Sequence, residues 1–268
     1  MKRFALCSSV FVWLGGLLHA QLSVPQPGFA RFSDGSIHAV HGIAANLIVD
    51  PHIVASAEVA SFSNAGGLTS SKGLIRLVRA DGKLLAQYQS EEPLPVLNIE
   101  SSLQSAVVWL PAKQLLLSWN GVAFTETPVD DSAFGGRVVF VKLASEGTAQ
   151  FFVAMTDSSV ARLLVSLPAA RLITADAEPG AHGRVFVQQS WILSQNDRGL
   201  TAEFPNGTRQ TIQLSQTPLP PGDLTIERMS NDWLHISSES TGTNWAVYMN
   251  AAKLSVSLLP PPVREAAQ

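Results

Sequence analysis

The sequence predicts an all-β fold, a β-propeller of five to six four-stranded blades, on three observations. Short runs rich in Val, Leu and aromatics, bounded by Gly, Pro, Asn, Asp or Ser, follow one another along the chain, among them "GLIRLVR", "QLLLSWN", "RVVFVKLA", "GRVFVQQ" and "NWAVYMN". Large aromatics recur at a nearly constant interval: from Trp109, the residues Phe151, Trp191 and Trp233 follow at steps of 42, 40 and 42. A period of about 40 to 45 residues is the length of a four-stranded antiparallel propeller blade. Xaa-Gly pairs stand between strand-like runs at Asp34-Gly35, Asp81-Gly82, Asn120-Gly121 and Asn206-Gly207, separated by 47, 39 and 86 residues, the last being twice 43. These pairs mark two-residue hairpins, in which both central residues take positive φ. The competing architecture is a β-sandwich, for which the even turn spacing has no repeat behind it. The aromatic register favours the propeller.

Taken in order, the chain opens on "MKRFALCSSVFVWLGGLLHA", with Lys2 and Arg3 as a positive head, an apolar run from Phe4 to Leu18, and small Ala20 after "LH". This is the plan of a secretory signal peptide, residues 1–20, cleaved after Ala20, with a secreted or periplasmic destination. Its apolar run is shorter than the roughly 20 residues that span a bilayer, so no transmembrane anchor is expected after cleavage. Residues 21–260 form the propeller-like domain. "ARFSDGSIHAV" supplies its first hairpin and "LIRLVRADGKLLAQY" the next. The proline-rich breaks "EEPLPV" at 91–96 and "TPLPPGD" at 217–223 fall where blade boundaries belong. Near residue 163 the period asks for a hairpin that has no Xaa-Gly pair, and "RLLVSLPAARLITA" is expected to turn through proline instead. No segment after the leader keeps helical periodicity over eleven residues. A tail at 261–268 is expected to be disordered. If the N-terminal strands complete the last blade the count is six, and otherwise five plus a hairpin.

Composition removes several classes. Cys7 is the only cysteine and lies in the leader, so the mature chain has no disulfide, thiol nucleophile or cysteine metal site. Leu6 before it argues against lipidation. Removing the leader leaves 16 basic and 21 acidic residues without a basic cluster, and an electrostatic footprint for nucleic acid is missing.

Motifs are sparse. "HAVH" holds His38 and His41, which point to opposite faces of an extended strand, so they share an ion only across a bend. Asp50 and His52 alternate onto one face and can join one of them, but packed or surface histidines are the expected outcome. Glu91-Glu92 and Asp130-Asp131 sit in turn-like contexts and read as solvated loops rather than a glycosidase pair. There is no G-x-S-x-G elbow, phosphate loop or calcium loop. Trp109, Trp119, Trp191, Trp233 and Trp245 read as inter-blade core rather than a sugar platform.

"STGTNW" at 240–245 resembles the tryptophan docking motif of pyrroloquinoline quinone dehydrogenase propellers, one residue short between Gly242 and Trp245. The motif is structural and implies no quinone. "GFARFSDGSIHAVHGIAAN" near the start and "GDLTIERMSNDWLHISSESTGTNWAVYMNAAKLSVSLLP" near the end resemble uncharacterised secreted bacterial proteins with β-propeller-like repeats. That resemblance implies the fold only. The expected function is a non-catalytic exported binding or assembly module with a protein or cell-envelope partner, no cofactor, and no catalytic or metal residue. The alternative is a propeller enzyme, a hydrolase, lyase or quinone oxidoreductase, with its site in the central channel.

Overall fold

The computed structural model describes residues 25–262 except 146, 168, 189–190, 205, 221 and 251–252. The expected signal peptide and most of the expected tail lie outside these residues. Within them the chain forms 22 strands and one short 3-10 turn, at Pro111–Lys113.

Six blades follow in chain order. The first is β1 (Gly28–Arg31), β2 (Ser36–Ile43) and β3 (Asn46–Ser56). The second is β4 (Val59–Ser63), β5 (Gly66–Ser71), β6 (Leu74–Arg79) and β7 (Leu84–Gln89). The third is β8 (Val96–Ile99), β9 (Ala106–Leu110), β10 (Leu115–Trp119) and β11 (Phe124–Pro128). The fourth and fifth share one seven-stranded sheet: β12 (Gly136–Ser145), β13 (Thr148–Met155), β14 (Ser159–Ser166), β15 (Arg171–Gln188), β16 (Trp191–Gln195), β17 (Gly199–Glu203) and β18 (Arg209–Gln213). The sixth is β19 (Leu224–Arg228), β20 (Trp233–Ser238), β21 (Asn244–Asn250) and β22 (Lys253–Leu258). Every pairing is between sequence neighbours and antiparallel, so each blade is a meander. The protein is therefore an all-β, six-bladed propeller. The last blade owns all four of its strands, and the N-terminal strands build a blade of their own rather than completing it.

β15 replaces a blade boundary with a bend. Its first part closes the fourth blade against β14, and its second opens the fifth against β16. The pairing on β14 jumps from Glu178 opposite Val160 to His182 opposite Ser159, which leaves residues 179–181 unpaired at the corner.

The first blade differs from the rest. The Ala57 N–H, at the entry to β4, donates to the Gly35 carbonyl at 2.9 Å. The β1–β2 turn therefore lies at the rim where inner strands begin, here called the upper rim, and β1 runs toward it. Inner strands run away from it, so β1, β2 and β3 match the second, third and fourth strands of the other blades. Among the described residues no strand fills the innermost place of this blade. β19 and β4 close the ring across it. Asn64 and Asn231 exchange backbone-to-side-chain bonds at 3.2 and 3.3 Å, and the Phe29 N–H donates to the Met229 carbonyl at 3.2 Å. A Cβ on Gly28 would lie 2.1 Å from that Met229 oxygen, so only glycine allows this approach.

Hydrophobic packing lies between blades. Val107, Trp109 and Leu116 of the third blade meet Phe134, Val138 and Phe151 of the fourth. Phe186, Trp191, Leu234, Ile236 and Trp245 join the fifth and sixth. Trp109, Phe151, Trp191 and Trp233 all stand on second strands (β9, β13, β16 and β20), which is the origin of the aromatic period. Their depth differs, since Trp109 sits near the end of its strand while Trp191 and Trp233 begin theirs. Trp109, Trp119, Trp191 and Trp245 are buried, and Trp233 is half-buried against the seam cluster of the first and sixth blades. The resemblance of "STGTNW" to a blade-docking motif is thus matched by a Trp245 packed between blades.

The four Xaa-Gly turns correct one expectation. Only the glycines, Gly35, Gly82, Gly121 and Gly207, have positive φ. The preceding Asp or Asn instead accepts the N–H two residues on, at 2.9 to 3.0 Å, as in Ser36 to Asp34 and Lys83 to Asp81. A side-chain acceptor stabilises an ordinary turn that ends on a left-handed glycine, and the primed turn is not needed. Three of them join third to fourth strands, in the second, third and fifth blades, whereas Asp34-Gly35 joins a second strand to a third. That explains the discrepant interval of 47. In the fourth blade the Ala170 N–H donates to the Leu167 carbonyl at 3.3 Å with Ala170 in the left-handed place at φ 47°, while Pro168, on which the expected proline turn rests, lies outside the described residues.

Candidate functional site

Inner strands leave one edge unpaired toward the axis, and the side chains they send there decide what the channel can do. Arg228, the last residue of β19, reaches across the ring, donates to the Ile99 carbonyl at the end of β8, and lies 5.5 Å from the centroid of the Phe186 ring on β15. One guanidinium thus ties the third, fifth and sixth blades. Burial lowers its pKa to about 10, opposed by the charge of Glu100, and it remains a cation at neutral pH. Six buried side-chain polar atoms have no hydrogen-bond partner among the described residues, and four sit on inner strands: Ser61 Oγ, Asn98 Oδ1, Arg184 Nε and Arg228 Nε. Buried polar groups are nearly always bonded in native proteins, so this concentration at the axis sets the channel apart from the hydrophobic seams.

At the upper rim, the starts of the fourth, fifth and sixth inner strands line an open cavity of about 310 Å³. Gly136, Gly183 and Gly222 line it, and a Cβ on Gly136 or Gly183 would come within 2.3 Å of the Ala154 carbonyl or 2.6 Å of the Gly222 nitrogen. Arg137, Thr156 and Ser158 add polar groups to the wall. Buried Gln195 holds the sixth-blade side: its amide donates to the Pro220 carbonyl at 2.5 Å and accepts from the Gly222 N–H at 2.9 Å. Arg184, the residue after Gly183, is half-buried. Its pKa is lowered first by burial and then by the like charge of Arg137, with the charges of Glu239 and Glu227 opposing. Neither arginine forms an ion pair within 4 Å among the described residues.

The carboxylate on this wall is already engaged. Glu227 accepts two bonds from Arg31 Nε, at 2.8 and 3.1 Å, and one from the Ala60 N–H. Burial still raises its pKa, outweighing those partners. The group therefore closes the ring between β19 and β4.

The histidine motif comes together only in part. His38 is buried and bonds the Asp50 carbonyl at 2.8 Å and Ser36 Oγ at 2.9 Å. His41 and His52 flank the Asp50 carboxylate at 3.8 and 3.0 Å, which lowers the pKa of that aspartate, through His52 foremost. Among the described residues no three His, Cys, Asp or Glu side chains converge as a metal site requires. Glu91 is exposed, whereas Glu92 is buried and accepts the Ala112 N–H at 2.7 Å, so that pair is a structural lock rather than a solvated loop. Asp130 accepts the Ser132 N–H at 3.0 Å, and Asp131 bonds the Gln114 amide at 2.6 Å; both are turn residues. Arg137, Arg184 and Arg228 were not anticipated from sequence. Each lies on a different blade, and a lone arginine in a strand has no local signature.

Among the described residues no helix is long and apolar enough to cross a membrane. No protein-family model and no curated protein matches the chain. Among solved structures, the chain is similar to Kuenenia stuttgartiensis hydrazine synthase, with 9% identity, a TM-score of 0.47 and coverage of 88% of this chain and 80% of that one. It is similar also to the β-propeller domain of Myceliophteria thermophila Cps50 (Swd1), with 12% identity, a TM-score of 0.46 and coverage of 91% and 89%.

Proposed function

We propose that the protein is an exported, non-catalytic binding module that holds its ligand at the upper rim of the ring. The observation that carries this reading is the chemistry of the inner wall, where Arg137 lines the rim cavity, Arg184 follows its Gly183, and Arg228 lies further along the buried axis. Guanidinium groups keep their protons at physiological pH, so they recognise and orient but do not shuttle protons. An enzyme on this scaffold would need a free acid or base at the axis, and the oxygens of Glu227 are taken by Arg31 and Ala60. The export half rests on the leader at 1–20.

Two measurements test this. N-terminal sequencing of the protein recovered from its native envelope is expected to begin at Gln21, and a protein retaining Met1 overturns export. Molecules that stay with the gently purified protein are identified by mass spectrometry and returned to ligand-free protein in a calorimeter. Stoichiometric binding of an unchanged molecule supports the binding reading. Repeated turnover of that molecule into product overturns it.

A further inference from the structure

The rim cavity has a specific electrostatic defect. Arg137 lines it, and Arg184 follows the Gly183 that lines it. No carboxylate stands within 4 Å of either guanidinium among the described residues, and Arg184 Nε is buried without a partner. The charge of exposed Arg137 is felt at half-buried Arg184, and two such like charges are unfavourable unless an anion offsets them. The surrounding wall suits an oxyanion: three glycines bring backbone close, Thr156 and Ser158 contribute hydroxyls, and Gln195 fixes the segment that carries Gly222. The volume of about 310 Å³ admits a small metabolite or one terminal group of a larger ligand.

We infer that the cavity binds the oxyanion head of its ligand, a phosphate or a carboxylate, between Arg137 and Arg184. This rests on the upper rim being the ligand site. Arginine pairs bind both kinds of head group through paired charge-assisted N–H bonds, and the two are separated by experiment.

The probes are inorganic phosphate and malonate, titrated into the mature protein at constant ionic strength made up with chloride, and followed by thermal midpoint and calorimetry. The expected result is a saturable rise in the midpoint with one of them. Arg137→Gln and Arg184→Gln should each weaken that binding roughly ten- to hundredfold, the range for losing a charge-assisted contact. Preference for phosphate identifies a phosphoryl head, with binding that strengthens as the pH rises through about 7 and the dianion forms. Preference for malonate identifies a carboxylate. Arg137 is exposed, so R137Q tests the site without disturbing the core. In chloride alone it is expected to melt no lower than the unsubstituted protein, because like-charge repulsion is relieved. The inference is overturned if neither probe exceeds chloride, if both variants bind as the parent does, or if R137Q melts lower in chloride. Stoichiometric rebinding of a neutral ligand would remove the oxyanion and leave the binding module standing.

Discussion

A histidine shut away from water holds its second proton weakly. His235 is buried on β20, its Nε2 2.9 Å from Asn244 Oδ1, and burial lowers its pKa from 6.5 to about 4 against the favourable bond to Asn244. The unfolded chain takes up this proton near pH 6.5 and the folded chain does not, so stability is lost as the pH falls from about 6.5 to 4. The loss is about 3 kcal/mol, from about 1.4 kcal/mol per pKa unit. The urea midpoint should drop across that window, and His235→Gln should flatten the drop. Asp50, Asp130 and Asp157 have lowered pKa values, through His52, Ser132 and Ser159 respectively. Their contributions disappear only below the ordinary aspartate value of 3.8, outside the histidine window. Ala170 is a second single-residue lever. It stands at φ 47°, where the equivalent turns carry glycine, and Ala170→Gly should raise stability by about 1 kcal/mol in chemical denaturation.

Among the elements, β1 decides how the ring closes. Arg31 on β1 holds Glu227 on β19, and the same carboxylate takes the N–H of Ala60 on β4. Arg31→Ala leaves a buried carboxylate without its cation and should cost roughly 3–5 kcal/mol, whereas the double variant R31M with E227L should regain most of that loss. Equilibrium unfolding of the three variants reads this directly. An equally large loss in the double variant would mean that shape rather than charge closes the seam. Much of the element pattern was legible in the sequence, because hairpin glycines and strand alternation are local. The aromatic period was legible too, since second strands carry the large rings. What the sequence left unread is non-local: a first blade without its inner strand, a bend inside β15 that carries the fourth blade into the fifth, and Arg137, Arg184 and Arg228 set on the inner wall by three blades. A lone charge in a strand follows no period, so repetition cannot reveal it.

At the scale of the molecule, the six blades are not equally secured. The fourth and fifth are continuous through β15, while the first and sixth meet through the Phe29–Met229 backbone bond, Arg31–Glu227 and the contact of Ser257 Oγ with the Ala44 carbonyl. Outer strand β3 also leaves Ile48, Ile53 and Val54 more than half exposed. A blade one strand short, with a solvent-facing outer strand, is among the regions that open first. Amide exchange should therefore be fastest in β1–β3 and slowest in β13–β16, and equal protection around the ring would contradict this account.

The shared strand β15 also sets how the molecule responds to a load. A chain pulled from its two ends can shed an ordinary blade by peeling one meander from its neighbours. The fourth and fifth blades have no free boundary at which to separate, because drawing on one tears the strand that begins the other. In a force–extension trace, Gly136–Gln213 should leave as one event with a length gain on the order of 25 nm, not as two steps of half that size. A corner at residues 179–181 thus makes two blades one mechanical unit in an otherwise modular ring.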